Sequence, residues 1–334
     1  MPDFQPINGM QILEMMGGFR PACVIGAAAE LDIWGRIGDK TLSAEALAKL
    51  LDCDLRAITM LLDAVVALGL LEKNEGCYRV AGEVRPLLID GSPQTVLPMV
   101  RHQINVMRSW SQLAGVAKSG IPGPRQASIR GLEADRAAFI AAMHSISILF
   151  ADDLVAQLGP PRFRHLLDVG GASGTWTFAF LRVVPGAKAT IFDLPDAIHQ
   201  AEERLKNSEF AARVALVSGD FYKDDLPTGC DFAWVSAIAH QHSRGHNRDL
   251  FIKVFKALEP HGQIAVRDIV MEPCRTRPRD GALFAINMLV NTESGGTFTF
   301  EEFAEDLKAA GFVNPRLAVS GETMNSVVVA DKPS

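Results

Sequence analysis

The run Asp168-Val169-Gly170-Gly171-Ala172-Ser173-Gly174 holds a carboxylate and three glycines within seven residues. It follows the apolar pair Leu166-Leu167 and precedes a helix-compatible stretch over 176–184, so it reads as strand, glycine turn, helix. Without a Cβ in the way, a backbone at such a turn can approach a ligand closely. A dinucleotide fingerprint needs Gly at the first, third and sixth positions. Counting from Gly170 gives Gly170, Ala172 and Thr175, and counting from Gly171 gives Gly171, Ser173 and Trp176, so both registers fail. The Lys-Ser/Thr pair of a P-loop is missing too. Two more carboxylates stand at comparable places, Asp193 in Phe192-Asp193-Leu194-Pro195 and Asp220 in Ser218-Gly219-Asp220-Phe221. Asp193 is placed to accept from both hydroxyls of a ribose. Asp220 is placed to accept from an adenine amino group, with Phe221 packed against the base. Each acid alone serves equally well as a helix or turn cap. Three at successive strand ends, behind a glycine turn, point to a nucleoside site, because ligands of open α/β sheets bind beyond the carboxyl ends of the strands.

His240, His242 and His246 offer a second constellation, spaced to cluster on a loop-to-helix turn. No carboxylate or cysteine of the usual zinc sets stands beside them, and His242 and His246 fit a solvated helix start, so no metal is expected.

The elements that must position these groups follow from apolar patterning. From residue 164 onward, short apolar strands over 165–169, 189–194, 214–217, 232–236 and 263–269 alternate with helical segments. That alternation predicts an α/β fold with a mostly parallel sheet and helices on both faces. Segments 312–319 and 325–330 are joined by a short turn and can pair antiparallel. The first part reads as helical. Residues 10–31 carry apolar positions at helical spacing, interrupted by Gly17-Gly18 and Pro21. Ser43 is placed as the N-cap of a helix with Glu45 in its first turn, and a second amphipathic helix runs over 55–70. Tyr78-Arg79-Val80 follows the turn Asn74-Glu75-Gly76 as a short strand. Helix, turn, helix and hairpin make a winged-helix pattern. Further helices over 96–119 and 136–158 flank the loop Ser119-Gly120-Ile121-Pro122-Gly123-Pro124. The expected division is 1–95 for the winged-helix domain, 96–160 for a helical linker and 161–334 for the sheet domain.

The chain has 334 residues, 48% hydrophobic and 22% charged, with formal net charge -6, ordinary for a soluble globular protein and unfavourable to a general nucleic-acid surface. Between residues 39 and 90 acidic residues outnumber basic ones, which argues against DNA binding by the winged helix. Five scattered cysteines with no close pair point to a reduced, cytoplasmic setting. Residues 1–10 lack a signal pattern, and no apolar run is read as reaching the length of a membrane span, so no membrane partner is expected.

With these motifs in place, the chain resembles the S-adenosylmethionine (SAM) O-methyltransferases of the plant caffeate and acetylserotonin type and their bacterial relatives. The resemblance spans nearly the whole chain. It takes in the winged-helix domain, 168–174, Asp193-Leu194-Pro195, Gly219-Asp220-Phe221 and Gly295-Gly296 with Phe300-Glu301-Glu302-Phe303. It implies a Rossmann-like class I methyltransferase sheet preceded by a winged-helix domain that forms a homodimer and helps to close the partner's active site. It implies SAM as methyl donor, S-adenosylhomocysteine (SAH) as product, and a cofactor site of Asp168, Gly170, Gly171, Asp193, Leu194, Asp220, Phe221 and Ser236. In Ser236-Ala237-Ile238-Ala239-His240-Gln241-His242, His240 matches the general base of the family's His-Asp-Trp tripeptide, and Gln241 and His242 depart from it. An ordinary imidazole, with a pKa of about 6.5, suits proton removal from a positioned hydroxyl at neutral pH.

The family orients its base with two acids. Asp268, in Val266-Arg267-Asp268-Ile269, matches the first, and Thr297 stands where the second should be. Asp268 equally suits a structural salt bridge to Arg267 or Arg275. Met143 matches a methionine that lines the family's acceptor pocket, and His144, Ser147, Asn287, Met288 and Asn291 fall in the same region. Met at helical spacing equally makes plain core. The expected activity is methyl transfer to a hydroxyl of a small molecule. The missing second acid leaves open S-, N- or C-methylation by positioning alone, and a nucleoside-binding winged-helix regulator is the more remote alternative.

Overall fold

The computed structural model describes residues 7–159 and 162–334. The chain forms two compact units, one of the chain up to Met107 with Gln126–Ser145, the other of Arg108–Arg125 with Ile146–Ser334. The stretch 96–160, expected as a separate linker, is thus shared between the two.

In the first unit, Ser43 and Asp54 accept from Ala46 and Ala57 main-chain N–H groups and so start the helices Ala44–Leu51 and Leu55–Ala67. A three-stranded antiparallel sheet follows, with order β1-β3-β2 for β1 (Leu42–Ser43), β2 (Leu71–Asn74) and β3 (Cys77–Val80). Glu75 and Gly76, at φ 47° and 79°, form the tight β2–β3 turn. Trp34, Leu47, Leu62 and Tyr78 are fully buried in this unit's core. Ahead of it lie Gly9–Gly17 and Phe19–Glu30. Gly17-Gly18 does not break the helical path, because Gly18 itself is helical at φ -61° and ψ -17°, and Pro21 falls in a first turn, where no N–H is required. The span Gly9–Glu30 therefore reaches 22 residues and holds an 18-residue window of mean hydropathy 1.2, which corrects the expectation that no stretch is long and apolar enough to cross a membrane. Met10, Leu13, Met16 and Phe19 lie exposed along it.

The second unit is built on a seven-stranded sheet of order β11-β12-β8-β7-β4-β5-β6. Its strands are β4 (His165–Val169), β5 (Lys188–Asp193), β6 (Val214–Ser218), β7 (Cys230–Ser236), β8 (Leu258–Asp268), β11 (Val313–Val319) and β12 (Ser326–Asp331). The short β9 (Val270–Met271) and β10 (Phe298–Thr299) pair separately. The sheet is parallel from β6 to β8, and β12 runs antiparallel to both β8 and β11, as the hairpin predicts. Successive strand residues face opposite ways. Leu166, Phe232 and Trp234 enter one buried cluster with Phe180, and Leu167, Ala233 and Val235 enter the other with Phe251 and Phe303. Near-continuous apolar strands are what a sheet covered on both faces requires. β4 lies between β5 and β7, so strand order reverses there, and open α/β sheets bind their ligands beyond the carboxyl ends of the strands at such a point. Asp168 stands at that end.

Candidate active site

The glycine turn leaves β4 with Gly170 and Gly174 at φ +68° and +75° and Ala172 at φ 44°. Ala172 is held in this left-handed conformation by its N–H, which donates to Asp193 Oδ2 at 2.7 Å. A Cβ on Gly171 would lie 2.7 Å from Asp168 Cγ, so this glycine is demanded by space. Asp168 is 1% exposed. Its Oδ2 accepts from the Thr177 hydroxyl at 2.6 Å, while its buried Oδ1 has no hydrogen-bond partner among the described residues. Burial pushes this carboxyl up to about 7, against an ordinary 3.8. Between those values the folded chain keeps a proton that the unfolded chain has released. The group's contribution to stability is therefore full below the lower value and lost as pH rises through about 7. Asp168→Asn is expected to remove that decline. Melting of ligand-free protein from about pH 5 to about pH 8 checks it, because the midpoint of the variant must rise relative to wild type across that window. A constant difference would overturn the account.

Asp193 is half-buried at the end of β5, and each carboxylate oxygen takes one main-chain N–H, from Ala172 and from Leu194, both at 2.7 Å. Burial raises its pKa despite those bonds. It joins the glycine turn to the second strand and does not cap a helix; Leu194, the residue at the N-cap, is 54% exposed. Asp220 serves as a turn cap, accepting from the Tyr222 N–H at 3.0 Å and pairing with Lys223 at 3.0 Å. Lys223 and the Tyr222 N–H hold its carboxyl below the ordinary value. Phe221 is half-buried beside it. Ser236 is buried, and its Oγ accepts from Arg267 Nη1 at 3.0 Å.

His240 is 6% exposed and stands beyond β7. Its Nδ1 lies 3.0 and 3.1 Å from the two oxygens of Asp268. Asp268 also accepts the main-chain N–H groups of His240, at 3.1 Å, and Ile269, at 2.8 Å. A carboxylate that faces only donors fixes the proton on Nδ1, so the ring presents Nε2 as an acceptor. The alternative for Asp268 is settled by the same contacts: Arg267 bonds Ser236 and Asn325, and Arg275 bonds Glu302 and the Thr297 carbonyl. On another side the Phe284 ring meets His240 edge-to-face, with centroids 4.9 Å apart. The Gly296 N–H donates to the His240 carbonyl at 2.9 Å, and a Cβ on Gly295 would lie 2.5 Å from that oxygen. The glycine pair thus lets its segment close on the backbone of His240. Thr297 is buried there.

His242 departs from the expected solvated helix start. It is half-buried, and burial pushes its imidazole down to about 4, so it is neutral near pH 7. His246 is exposed, and no group of three or more His, Cys, Asp or Glu among the described residues could hold a metal ion.

Of the residues expected at an acceptor pocket, Met143 and His144 fall in the first unit and Ser147 in the second; all three are half-buried. Asn287 and Asn291 lie one helical turn apart on Arg279–Asn291. The Asn287 Oδ1 accepts from Trp110 Nε1 at 2.9 Å and from Asn291 Nδ2 at 3.0 Å. Met288 is buried on the same helix. Trp110, Phe284, Thr177 and Arg204 were not legible as site residues. Arg204 Nη1 donates to the Ser173 carbonyl at 2.5 Å and so holds the glycine turn from the helix Pro195–Lys206, which follows β5.

A glycine turn at a switch point and acids at the ends of three successive strands are the features of an open α/β sheet that binds its ligand at the carboxyl edge, and the buried His–Asp pair stands after the next strand, β7. Residues 107–313 match the model of the O-methyltransferase domain, and residues 13–83 match that of the O-methyltransferase dimerisation domain. The chain belongs to the O-methyltransferase family and is a SAM-dependent methyltransferase. It is 28% identical to acetylserotonin O-methyltransferase of Gallus gallus over 95% of this chain and 96% of that one. It is 29% identical to the tetracenomycin polyketide synthesis 8-O-methyl transferase TcmO of Streptomyces glaucescens, over 96% of both. In fold it is similar to human N-acetylserotonin methyltransferase in complex with SAM (TM-score 0.81, 23% identity, all of both chains). It is also similar to PigF with SAH (TM-score 0.85, 23% identity, 98% of this chain and all of that one).

Proposed function

We propose that this chain transfers the methyl group of SAM to a hydroxyl of a small-molecule acceptor, with His240 as general base. The observation that carries the reading is the Asp268–His240 pair, which leaves Nε2 of a neutral ring as an acceptor. The fit to the cofactor rests on two features of the chain. Among the described residues Asp168 Oδ1 is a buried carboxylate oxygen without a partner, and Asp193 keeps lone pairs beyond its two main-chain bonds. An acid that rises in pKa through burial is relieved by a cationic ligand, and the cofactor carries an ammonium and a sulfonium. When bound, the cofactor supplies an electrophilic methyl group. The rest is the protein's part: Asp193 and Asp220 with Phe221 hold the nucleoside, and Asp268 fixes the tautomer and orientation of His240. His240 takes the hydroxyl proton as the oxygen attacks in line with the leaving sulfur.

Thr297 in place of a second acid favours one further reading, methyl transfer to S, N or C by positioning alone. Incubation with methyl-labelled SAM and a panel of phenols, amines, thiols and activated carbons tests the assignment. Label in a methyl ether is expected, and label only on N, S or C overturns the hydroxyl reading. We propose a homodimer through the dimerisation domain, supported by the exposed Met10, Leu13, Met16 and Phe19. Light scattering is expected to return twice the chain mass of 36.2 kDa, and a monomer mass would refute it.

A further inference from the structure

Gln241 and His242 replace the residues that the family pattern places after the base, and the structure gives each a partner inside this chain. Gln241 Nε2 donates to the Ala237 carbonyl at 2.9 Å and closes the base loop on itself. His242 reaches outward, and its ring is hydrogen-bonded to the Tyr222 hydroxyl. Tyr222 belongs to the loop after β6, two residues beyond Asp220. Its ring meets His242 and His246 edge-to-face, at centroid distances of 5.1 and 5.8 Å, and Phe221 meets His242 likewise at 5.8 Å. The same two segments are joined again at the helix Arg244–Ala257, where Lys253 Nζ donates to the Phe221 and Asp224 carbonyls, both at 2.7 Å. The loop over 220–224 and the segment over 240–253 are thus tied at two independent points. One carries the nucleoside-side acid, the other the His240 imidazole.

We propose that Tyr222 is a positioning residue, which through its hydrogen bond to His242 couples seating of the cofactor's nucleoside against Asp220 and Phe221 to the placement of His240. The inference rests on the cofactor and base assignments above. Tyr222 is 52% exposed, and its ring packs on Phe221, with centroids 4.9 Å apart, as well as on the two imidazoles, so removing the hydroxyl alone leaves these ring contacts in place. A neutral His242 supplies the acceptor nitrogen. Lys253 is indifferent to that change and keeps the loops adjacent, so Tyr222→Phe loosens the coupling without unfolding the site.

The test uses the full-length protein with its eight histidines carbon-labelled in the ring, SAH as probe, and the His240 ring signal assigned from a His240→Gln variant. In wild type, SAH is expected to move the His240 signal. In Tyr222→Phe, calorimetry is expected to show SAH affinity within threefold of wild type, with the His240 displacement reduced by half or more. His242→Phe, which keeps a ring and loses the acceptor, is expected to do the same. Equal displacement in wild type and both variants overturns the proposal. Loss of SAH affinity by more than tenfold in Tyr222→Phe also overturns it, because Tyr222 would then be a ligand contact. If SAH produces no binding heat with wild type, the cofactor assignment itself falls, an outcome distinct from the other two.

Discussion

His240→Ala is expected to lower kcat on a hydroxyl acceptor by about 10²–10⁴-fold, the usual worth of a positioned general base, and to leave SAH affinity within threefold. The two halves of that expectation have separate structural grounds. The side chain removed is the only part of His240 that reaches Asp268 through a ring nitrogen and Phe284 through a ring edge. The contacts that shape the loop are main-chain ones: the His240 N–H to Asp268 and the Gly296 N–H to the His240 carbonyl. Alanine retains both. Asp168 and Asp193 lie on β4 and β5 and Asp220 beyond β6, and the bonds that hold these three carboxylates are to Thr177, Ala172, Leu194, Tyr222 and Lys223, not to the imidazole. The measurement is single-turnover transfer of labelled methyl to the acceptor found by screening, at saturating SAM. A rate within threefold of wild type would remove the base assignment and favour transfer by positioning alone.

The strands were readable because buried parallel strands leave short apolar runs, and the runs at 165–169, 189–194 and 214–217 lie within one residue of β4, β5 and β6. The candidate groups at their ends were readable for the same reason: a strand boundary is local, and so is an acid or a glycine beside it. The pairing of those groups was not local. Thr177 meets Asp168 from the first turn of the helix Thr175–Val183, Arg204 meets Ser173 across 31 residues, and Tyr222 meets His242 across 20. No periodicity announces such pairs, since each depends on how helices and loops pack beside the sheet. The same limit applies to Asp268, for which the sequence equally suits a salt bridge to Arg267 or Arg275, while its side chain bonds a loop 28 residues earlier. At the N-terminus the error ran the other way. Local glycine and proline signals at Gly17-Gly18 and Pro21 were given weight that the helical path over Gly9–Glu30 overrides. His242 was read as solvated from its place at a helix start, and packing by Phe221 and Tyr222 reverses that.

Asp193→Ala is expected to weaken SAH binding by roughly 10²–10⁴-fold. Hydrogen bonds to a charged acceptor contribute about 1.5–3 kcal/mol each, two ribose hydroxyls are assigned to this carboxylate, and each tenfold in affinity is about 1.4 kcal/mol. Asp193 also holds the Ala172 and Leu194 N–H groups at 2.7 Å. Alanine therefore loosens the left-handed Ala172 and the glycine turn as well as removing a ligand contact, and a loss of affinity alone would not separate the two. Asp193→Asn does separate them. One carbonyl oxygen remains for the Ala172 N–H, so the turn and the melting midpoint should be preserved, while the charge and the second acceptor oxygen are lost. For this variant a fall of about 10–10²-fold in SAH affinity by calorimetry, with a melting midpoint close to wild type, is the expected result. If Asp193→Ala binds SAH within threefold of wild type, Asp193 serves only to brace the turn, and the ribose must be held elsewhere in the cleft. If instead Asp193→Asn melts as wild type and binds as wild type while Asp193→Ala does neither, the brace alone accounts for the effect, and the carboxylate charge that burial already disfavours has no part in holding the cofactor.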